Sequence, residues 1–441
     1  MVRSLSAKVR DAAQRLPAIE DKAFGAAFDA FGNHRVVLIG DGSHGTSEFY
    51  RARCAITKRL IEQHNFKTIA IEADWPDAHI VDRYVRYYPS KKLSPTLPAF
   101  NHFPKWMWRN TEFQEFVNWL RNHNADLPAR ERTGIAGMDL YSMGASIHAV
   151  QDYLRRVNPE IAKLAKQRYS CLEPWMDDPA LYGRQAFLSG TSPCEEGVVR
   201  MLRDLLERRL ELVEDGEDGE DFFNAEMNAR LVRDAEAYYR AMFYGSDDSW
   251  NKRDTHFFDT LVRLLQHRPL TKAVVWAHNS HVGDARYTGM GEARNELNIG
   301  QLCKEEFGDE CAIIGCSTHT GTVAAAHEWD DDMQVMEVNP SRGDSYEYVM
   351  HETGVPSFKL DLREGQLAEE LRRELMVKRL QRFIGVIYRP RTERYSHYSQ
   401  AVLPKQMDCL VWFDETEALH AFETAQPHEP PSIGETYPFG L

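Results

Sequence analysis

The sequence predicts an α/β protein: a mostly parallel sheet core flanked by helices, with a large helical insertion over the cleft. Short β-branched runs recur between longer stretches with helical spacing, and this alternation is typical of parallel sheets. Strand patterns then vanish between Met138 and Ala273, where only helical patterns occur.

Seven apolar runs predict buried strands. They are Val36–Gly40, Thr68–Glu72, Thr133–Met138, Ala273–His278, Cys311–Cys316, Phe383–Tyr388 and Cys409–Phe413. After the first run, Glu48–Gln63 has apolar residues at helical spacing and predicts a helix. The middle of the chain carries four further helical patterns: Ser146–Val157, Val198–Val213, Phe222–Phe243 and Trp250–Gln266.

These elements suggest a chain divided into four parts. We expect residues 1–140 to form the first part of the α/β core and residues 141–270 to form the helical insertion or cap. Residues 271–425 would complete the core, and residues 426–441, which are rich in proline, would form a C-terminal extension.

Composition narrows the class of protein. With 43% hydrophobic and 11% aromatic residues the chain is globular, and its formal charge of −14 disfavours broad binding to nucleic acid or to an anionic membrane. Its apolar runs fall far short of the roughly 20 residues that cross a bilayer. The N-terminus lacks the apolar region of a signal peptide, and the seven cysteines include no C-x-x-C pair. We therefore expect a cytoplasmic protein without a disulfide framework or a structural zinc site.

Titratable and polar side chains follow four of the predicted strands. They are Asp41, Ser43 and His44, then Glu72 and Asp74, then Asp139, then His278 and His281. Because the carboxyl ends of parallel strands meet at one edge, where ligands bind in such sheets, these groups should lie together. Buried carboxylates and imidazoles cost free energy unless they are paired, so stability alone does not explain four such strand ends.

Three chemistries could use this set. An imidazole could take a proton from water while a carboxylate orients and stabilises the imidazolium, and a second imidazole could polarise or protonate the substrate. Ser43 could be a nucleophile, but Asp41 and Gly42 break the G-x-S-x-G pattern. The histidines and Glu72 could also hold a metal, although H-x-x-H is not the H-E-x-x-H metal motif. The glycines around His44 suggest a tight turn with the backbone close to a ligand.

Six ordered motifs extend this set over most of the chain. They are Gly40–Gly45 with Glu48–Tyr50, Ile71–Pro76, Trp106–Asn110, Gly137–Ser142, Trp276–His281 and Ser396–Tyr398. Together they resemble the erythromycin esterase family. That family has an α/β core with a helical portion over the cleft. Its enzymes hydrolyse a macrolide lactone ester by activating water, without a metal and without an acyl-enzyme.

The resemblance implies roles for particular residues. His44 matches the general base of the family, Glu72 its partner carboxylate, and His278 and His281 its second histidine pair, which would stabilise the oxyanion or protonate the leaving alkoxide. The family usually has Glu where this chain has Asp41.

Six residues are expected to bind substrate: Asp41, Ser43, Asp74, Arg253, Tyr395 and His397. Arg253 resembles a family position near the cleft, and a helix-surface ion pair is its alternative explanation. The leading hypothesis is a carboxylic-ester hydrolase that needs no metal or cofactor and takes a small-molecule ester or lactone. A metal-assisted hydrolase using the same cluster remains an alternative. A non-hydrolytic small-molecule-binding or lyase-like relative is another alternative, because Asp41 stands where the family usually has Glu.

Overall fold

The computed structural model describes residues 3–88, 99–190, 194–209 and 219–425. The expected C-terminal extension, residues 426–441, lies outside these ranges. The strands are β1 (Gln14–Arg15), β2 (Val36–Asp41), β3 (Phe66–Asp74), β4 (Gly134–Asp139), β5 (Lys272–His278), β6 (Cys311–Ala325), β7 (Gln334–Val338), β8 (Ser357–Asp361), β9 (Arg379–Arg382), β10 (Tyr398–Ala401) and β11 (Cys409–Thr416).

The sheet is mixed but mostly parallel, which confirms the predicted fold class. Its strand order is β1, β8, β11, β6, β2, β5, β3, β4, with β7 paired to β6. The run from β11 to β4 is parallel throughout, whereas β1, β7 and β8 pair antiparallel. β9 and β10 form a separate antiparallel pair. The central strands β2 and β5 are almost wholly buried, because helices cover both faces of a parallel sheet.

Helices connect these strands. They span Leu5–Ala12, Lys22–Ala26, Ser47–His64, Trp75–Val85, Thr111–Asn124, Met143–Val157, Pro159–Tyr169, Pro179–Ser189, Glu195–Glu207, Glu220–Ala241, Ser246–His267, Asn279–Val282, Gly289–Arg294, Ile299–Phe307, Tyr346–His351, Glu369–Leu375, Glu393–Ser396 and Leu403–Gln406. None of the helices in the described part of the chain is both long and apolar enough to cross a bilayer.

The region between β4 and β5 is helical in its described residues, as the sequence predicts. Its apolar side chains, such as Leu154, Leu205 and Leu231, belong to one buried cluster with Val36 and Val275 on one face of the sheet. The opposite face forms a second cluster with the helices Ser47–His64 and Thr111–Asn124. The alternation of side chains along each strand therefore supplies two cores, one on each side.

One predicted strand is absent from the structure. Phe383–Tyr388 is not a strand, since β9 ends at Arg382 and the following segment makes only single bridges, from Ile384 to Ser43 and from Ile387 to Ala326. Its apolar residues are nevertheless buried, as a strap beside the loop after β2. Burial by packing, without pairing along a strand, explains why the apolar run was misleading.

A disulfide also differs from the expectation. Cys171 and Cys194 are bonded, because the fold brings their Cα atoms to 5.6 Å, a separation that suits such a bond. The other five cysteines are free and buried. The two bonded positions are 23 apart in the sequence and belong to the helical region between β4 and β5.

Candidate functional site

The carboxyl ends of four adjacent strands build one site, because β2, β5, β3 and β4 are neighbours that run in the same direction. The sheet register places Asp41 beside His278 and Asp74 beside Asp139. Residues that lie far apart in the chain thus come together at one edge, as the sequence predicts.

His44 is the histidine of this set that lines a cleft. Its Nδ1 lies 3.4 Å from Asp41 Oδ1 and its Nε2 lies 3.7 Å from Glu72 Oε1. Asp41 is fully buried and lies 2.7 Å from Nη1 of Arg53, which is buried as well. Burial alone would raise the pKa of Asp41, but the charges of Arg53 and His44 outweigh it and hold that pKa below its usual value. The result is a buried row from Arg53 through Asp41 to His44.

Glu72 is held as a carboxylate by three partners. Arg253 Nη2 donates to Oε1 at 3.1 Å, the backbone N–H of His278 donates to Oε2 at 2.8 Å, and His281 Nε2 lies 3.3 Å from Oε1. Burial raises the pKa of Glu72, yet the charges of His281, His44 and Arg253 lower it well below its ordinary value. The indole N–H of Trp108 also donates to the Glu72 carbonyl at 3.0 Å.

His278 and His281 lie behind Glu72, and their pKa values are shifted in opposite directions. Burial and the neighbouring His44 lower the pKa of His278 to about 3, so it is neutral near neutral pH. Burial also disfavours charge on His281, but Asp254, 2.9 Å from its Nδ1, and Glu72 raise its pKa to about 9. His278 lies beside His44, with ring centroids 4.8 Å apart.

The cleft combines charged and aromatic walls. Its described lining residues are His44, Glu72, Ala73, Asp74, Asp77, Phe100, His102, Phe103, Pro104, Met107, Trp108, Asp139, Tyr141, Arg253, Trp329 and Val386. Arg253 is not on the helix surface: it is buried and binds Asp139 through Nε at 3.0 Å and Nη2 at 2.6 Å.

Four of the expected substrate-binding residues do not line this cleft. Asp41 lies behind His44, and Ser43 is buried with its hydroxyl bonded to Thr46. Tyr395 is 87% exposed. His397 is buried and accepts the Arg389 backbone N–H at 2.9 Å, so it fixes the strap rather than the cleft. The other two expected residues, Asp74 and Arg253, do line it.

Two of the glycines around His44 serve close packing within the protein. A Cβ on Gly45 would lie 1.8 Å from the Ala324 carbonyl oxygen, and one on Gly40, within β2, would lie 2.2 Å from Asn279 Oδ1. The close approach at these two positions is to β6 and to the helix Asn279–Val282, in place of the expected approach to a ligand. Glycine is required because neighbouring atoms at this distance leave no room for a side chain.

Two residues of the site have no counterpart in the sequence motifs: Arg53 and Asp254. Arg53 lies among the apolar residues of the helix Ser47–His64, and a charged residue within an apolar stripe was the available signal. In residues 3–88, 99–190, 194–209 and 219–425, no three His, Cys, Asp or Glu side chains are grouped so as to hold a metal ion.

Comparison with known proteins identifies the family of this chain. The family model "Erythromycin esterase" matches residues 61–416. The chain belongs to the erythromycin esterase family. It is 23% identical to the Escherichia coli erythromycin esterase type II over 67% of this chain and 72% of that protein.

Two solved structures share the fold of this family member. A Bacillus cereus protein superimposes with a TM-score of 0.80 at 19% identity, covering 95% of this chain and 98% of its own. A mutant erythromycin esterase, EreC, in its open conformation gives a TM-score of 0.67 at 14% identity, covering 92% of this chain and 98% of that chain. Membership of the family supports a hydrolase.

Proposed function

We propose that the protein hydrolyses a carboxylic ester or lactone, with His44 activating water and no metal taking part. The observation that carries this proposal is the placement of one imidazole, His44, in the cleft between two carboxylates, Asp41 and Glu72. A histidine with a carboxylate on one ring nitrogen and a cleft at the other is the arrangement of a general base.

The first step is removal of a proton from water. In the tautomer with its proton on Nδ1, which lies 3.4 Å from Asp41 Oδ1, Nε2 carries the lone pair that accepts this proton, and Asp41 stabilises the imidazolium that forms. Glu72 Oε1 is a second acceptor within reach of the same water, because it lies 3.7 Å from Nε2. Two acceptors orient the water so that its oxygen attacks the acyl carbon, and such general-base steps contribute about 10²–10⁴-fold.

Positive charge at the site would stabilise the oxyanion of the tetrahedral intermediate. Arg253 lines the cleft, and His281 contributes charge from behind Glu72. His278 Nδ1 lies 2.8 Å from Ser280 Oγ and 3.4 Å from the Ser280 backbone N–H, and in the tautomer in which Nδ1 accepts from both, the proton of the neutral ring is on Nε2. That N–H has no hydrogen-bond partner among the described residues and adds a further dipole beside His44. Positive charges and dipoles of this kind stabilise an oxyanion strongly in a site that excludes water.

The substrate is proposed to be a small-molecule ester or lactone. The aromatic wall of Phe100, Phe103, Trp108 and Trp329 suits an apolar body, since aromatic side chains bury large apolar surfaces. Polar groups, among them His44, Glu72 and Arg253, line the same cleft. The cleft therefore fits a mainly apolar molecule with one reacting ester group.

The test is hydrolysis of a panel of alkyl esters, aryl esters and lactones, with mass spectrometry detecting the addition of one water. His44→Ala is expected to lower kcat/KM by about 10²–10⁴-fold. His148→Ala, at an exposed position of the helix Met143–Val157, is the matched control. Retained turnover in a folded His44→Ala protein contradicts the mechanism. A stoichiometric metal whose chelation abolishes turnover would instead establish the metal-assisted alternative.

A further inference from the structure

Asp74 differs from Glu72 and Asp139, two other carboxylates of the cleft, in its charged neighbours. It ends β3, two residues after Glu72, and lines the same cleft as His44. The backbone N–H of Ser142 donates to its Oδ1 at 3.1 Å. Its neighbour across the sheet is Asp139, so two carboxyl groups meet at the ends of β3 and β4.

The charged partners of Glu72 and Asp74 differ. Arg253 binds both Glu72 and Asp139, which gives each of those two groups a positive partner. Asp74 instead faces Asp139 from β4 and Asp77 from the helix Trp75–Val85. Burial first, and then these two negative charges, raise the pKa of Asp74 to about 7. The titratable and charged groups that share its cleft are His44, Glu72, Asp77, His102, Asp139, Tyr141 and Arg253.

The pKa values of two carboxyl groups on one strand are thus shifted in opposite directions. That of Glu72 lies well below its ordinary value and that of Asp74 is raised to about 7, so near neutral pH Glu72 is ionised while a substantial share of Asp74 carries a proton. Such separation of neighbouring groups is how one site supplies both a base and an acid. The two later histidines are poorly placed for the acid role, because neither is among the described residues that line the cleft.

We propose that Asp74 is the general acid that protonates the leaving alkoxide, an inference that rests on the proposed hydrolysis. Water gives one proton to His44 Nε2 as its oxygen bonds to the acyl carbon. The bond from that carbon to the alkoxy oxygen then breaks, its electron pair stays on the oxygen, and the Asp74 carboxyl gives that oxygen a proton. Proton transfer from His44 to Asp74 through solvent restores the starting state.

The test compares two leaving groups in Asp74→Asn. An alkyl ester needs a proton on its leaving oxygen, whereas a nitrophenyl ester leaves as a stable anion. We expect kcat/KM to fall by about 10²–10⁴-fold on the alkyl ester, with turnover of the nitrophenyl ester nearly unchanged. Wild-type activity on the alkyl ester should decline as pH rises through about 7, and this decline should be absent from Asp74→Asn. Equal loss on both esters, or an alkaline decline that persists in the variant, would overturn the inference.

Asp77→Asn is the matched control. It makes the same Asp-to-Asn replacement in the same cleft and removes one of the two carboxylates that raise the pKa of Asp74. We expect the alkaline decline to move to lower pH and the ratio of alkyl to nitrophenyl turnover to stay near that of the wild type. A selective loss of alkyl turnover equal to that of Asp74→Asn would contradict the assignment.

The two proposals fail in different ways. If the wild type hydrolyses neither ester, the proposed function fails and the role of Asp74 falls with it. If the wild type hydrolyses both esters, His44→Ala abolishes both activities and Asp74→Asn matches the wild type, only the inference about Asp74 fails.

Discussion

Replacing Arg53 by Met tests the buried row behind His44. Arg53 Nη1 lies 2.7 Å from Asp41 Oδ2, both side chains are at most 1% exposed, and the guanidinium lies over the Tyr50 ring at 4.4 Å. Methionine keeps the apolar stem but removes the charge, which leaves the Asp41 carboxylate buried without its partner. Breaking a buried ion pair in this way costs about 3–5 kcal/mol. We expect the free energy of unfolding to fall by about that amount at neutral pH.

The stability deficit of Arg53→Met should depend on pH, in a direction that follows from the pKa of Asp41. In the wild type the pKa of Asp41 lies below 3.8, so its stabilising contribution is present above that value and is lost as pH falls through the folded pKa. Without Arg53, burial should raise the pKa of Asp41, and the buried carboxylate then destabilises the fold above that raised pKa. The deficit of Arg53→Met should therefore shrink on acidification.

Urea denaturation followed by tryptophan fluorescence, at neutral and at mildly acidic pH, measures both effects. Arg51→Met is the control, because Arg51 is 39% exposed and its ion pairs are surface pairs, each worth about 0–1 kcal/mol. Adding Asp41→Asn to Arg53→Met should restore part of the lost stability. A deficit no larger than that of Arg51→Met, or one that does not change with pH, would refute the reasoning.

Two further predictions concern stability. Gly45→Ala should destabilise the fold by about 1–3 kcal/mol or more, because its Cβ would meet the Ala324 carbonyl, whereas Gly343→Ala, with nothing within 4 Å, should change little in the same urea assay. His281, with its pKa raised from 6.5 to about 9, should add stability that is complete below 6.5 and is lost as pH rises through about 9, by about 3 kcal/mol. Asp254→Asn should flatten this slope, and an unchanged slope would contradict the pairing.

The sequence predicted the strands of the site better than the strap beside it. Continuous apolar runs identify β2 and β5, since strands buried on both faces lack alternation. The run Phe383–Tyr388 has the same apolar character, but it is buried by packing and not by pairing along a strand. The apolar composition of a segment indicates that it is buried. Whether it pairs as a strand depends on whether a neighbouring strand lies beside it.

The chemical state of each site residue depends on contacts that no local pattern contains. Glu72 and Asp74 lie two positions apart on β3 and both end in carboxyl groups. Arg253, which lies 181 positions after Glu72, binds Glu72, while Asp74 meets the carboxylates Asp77 and Asp139. A sequence motif can therefore place both groups at a strand end. The opposite shifts of their pKa values follow from where the helix Ser246–His267 brings Arg253 and from the carboxylates beside Asp74, and no local sequence pattern contains these contacts.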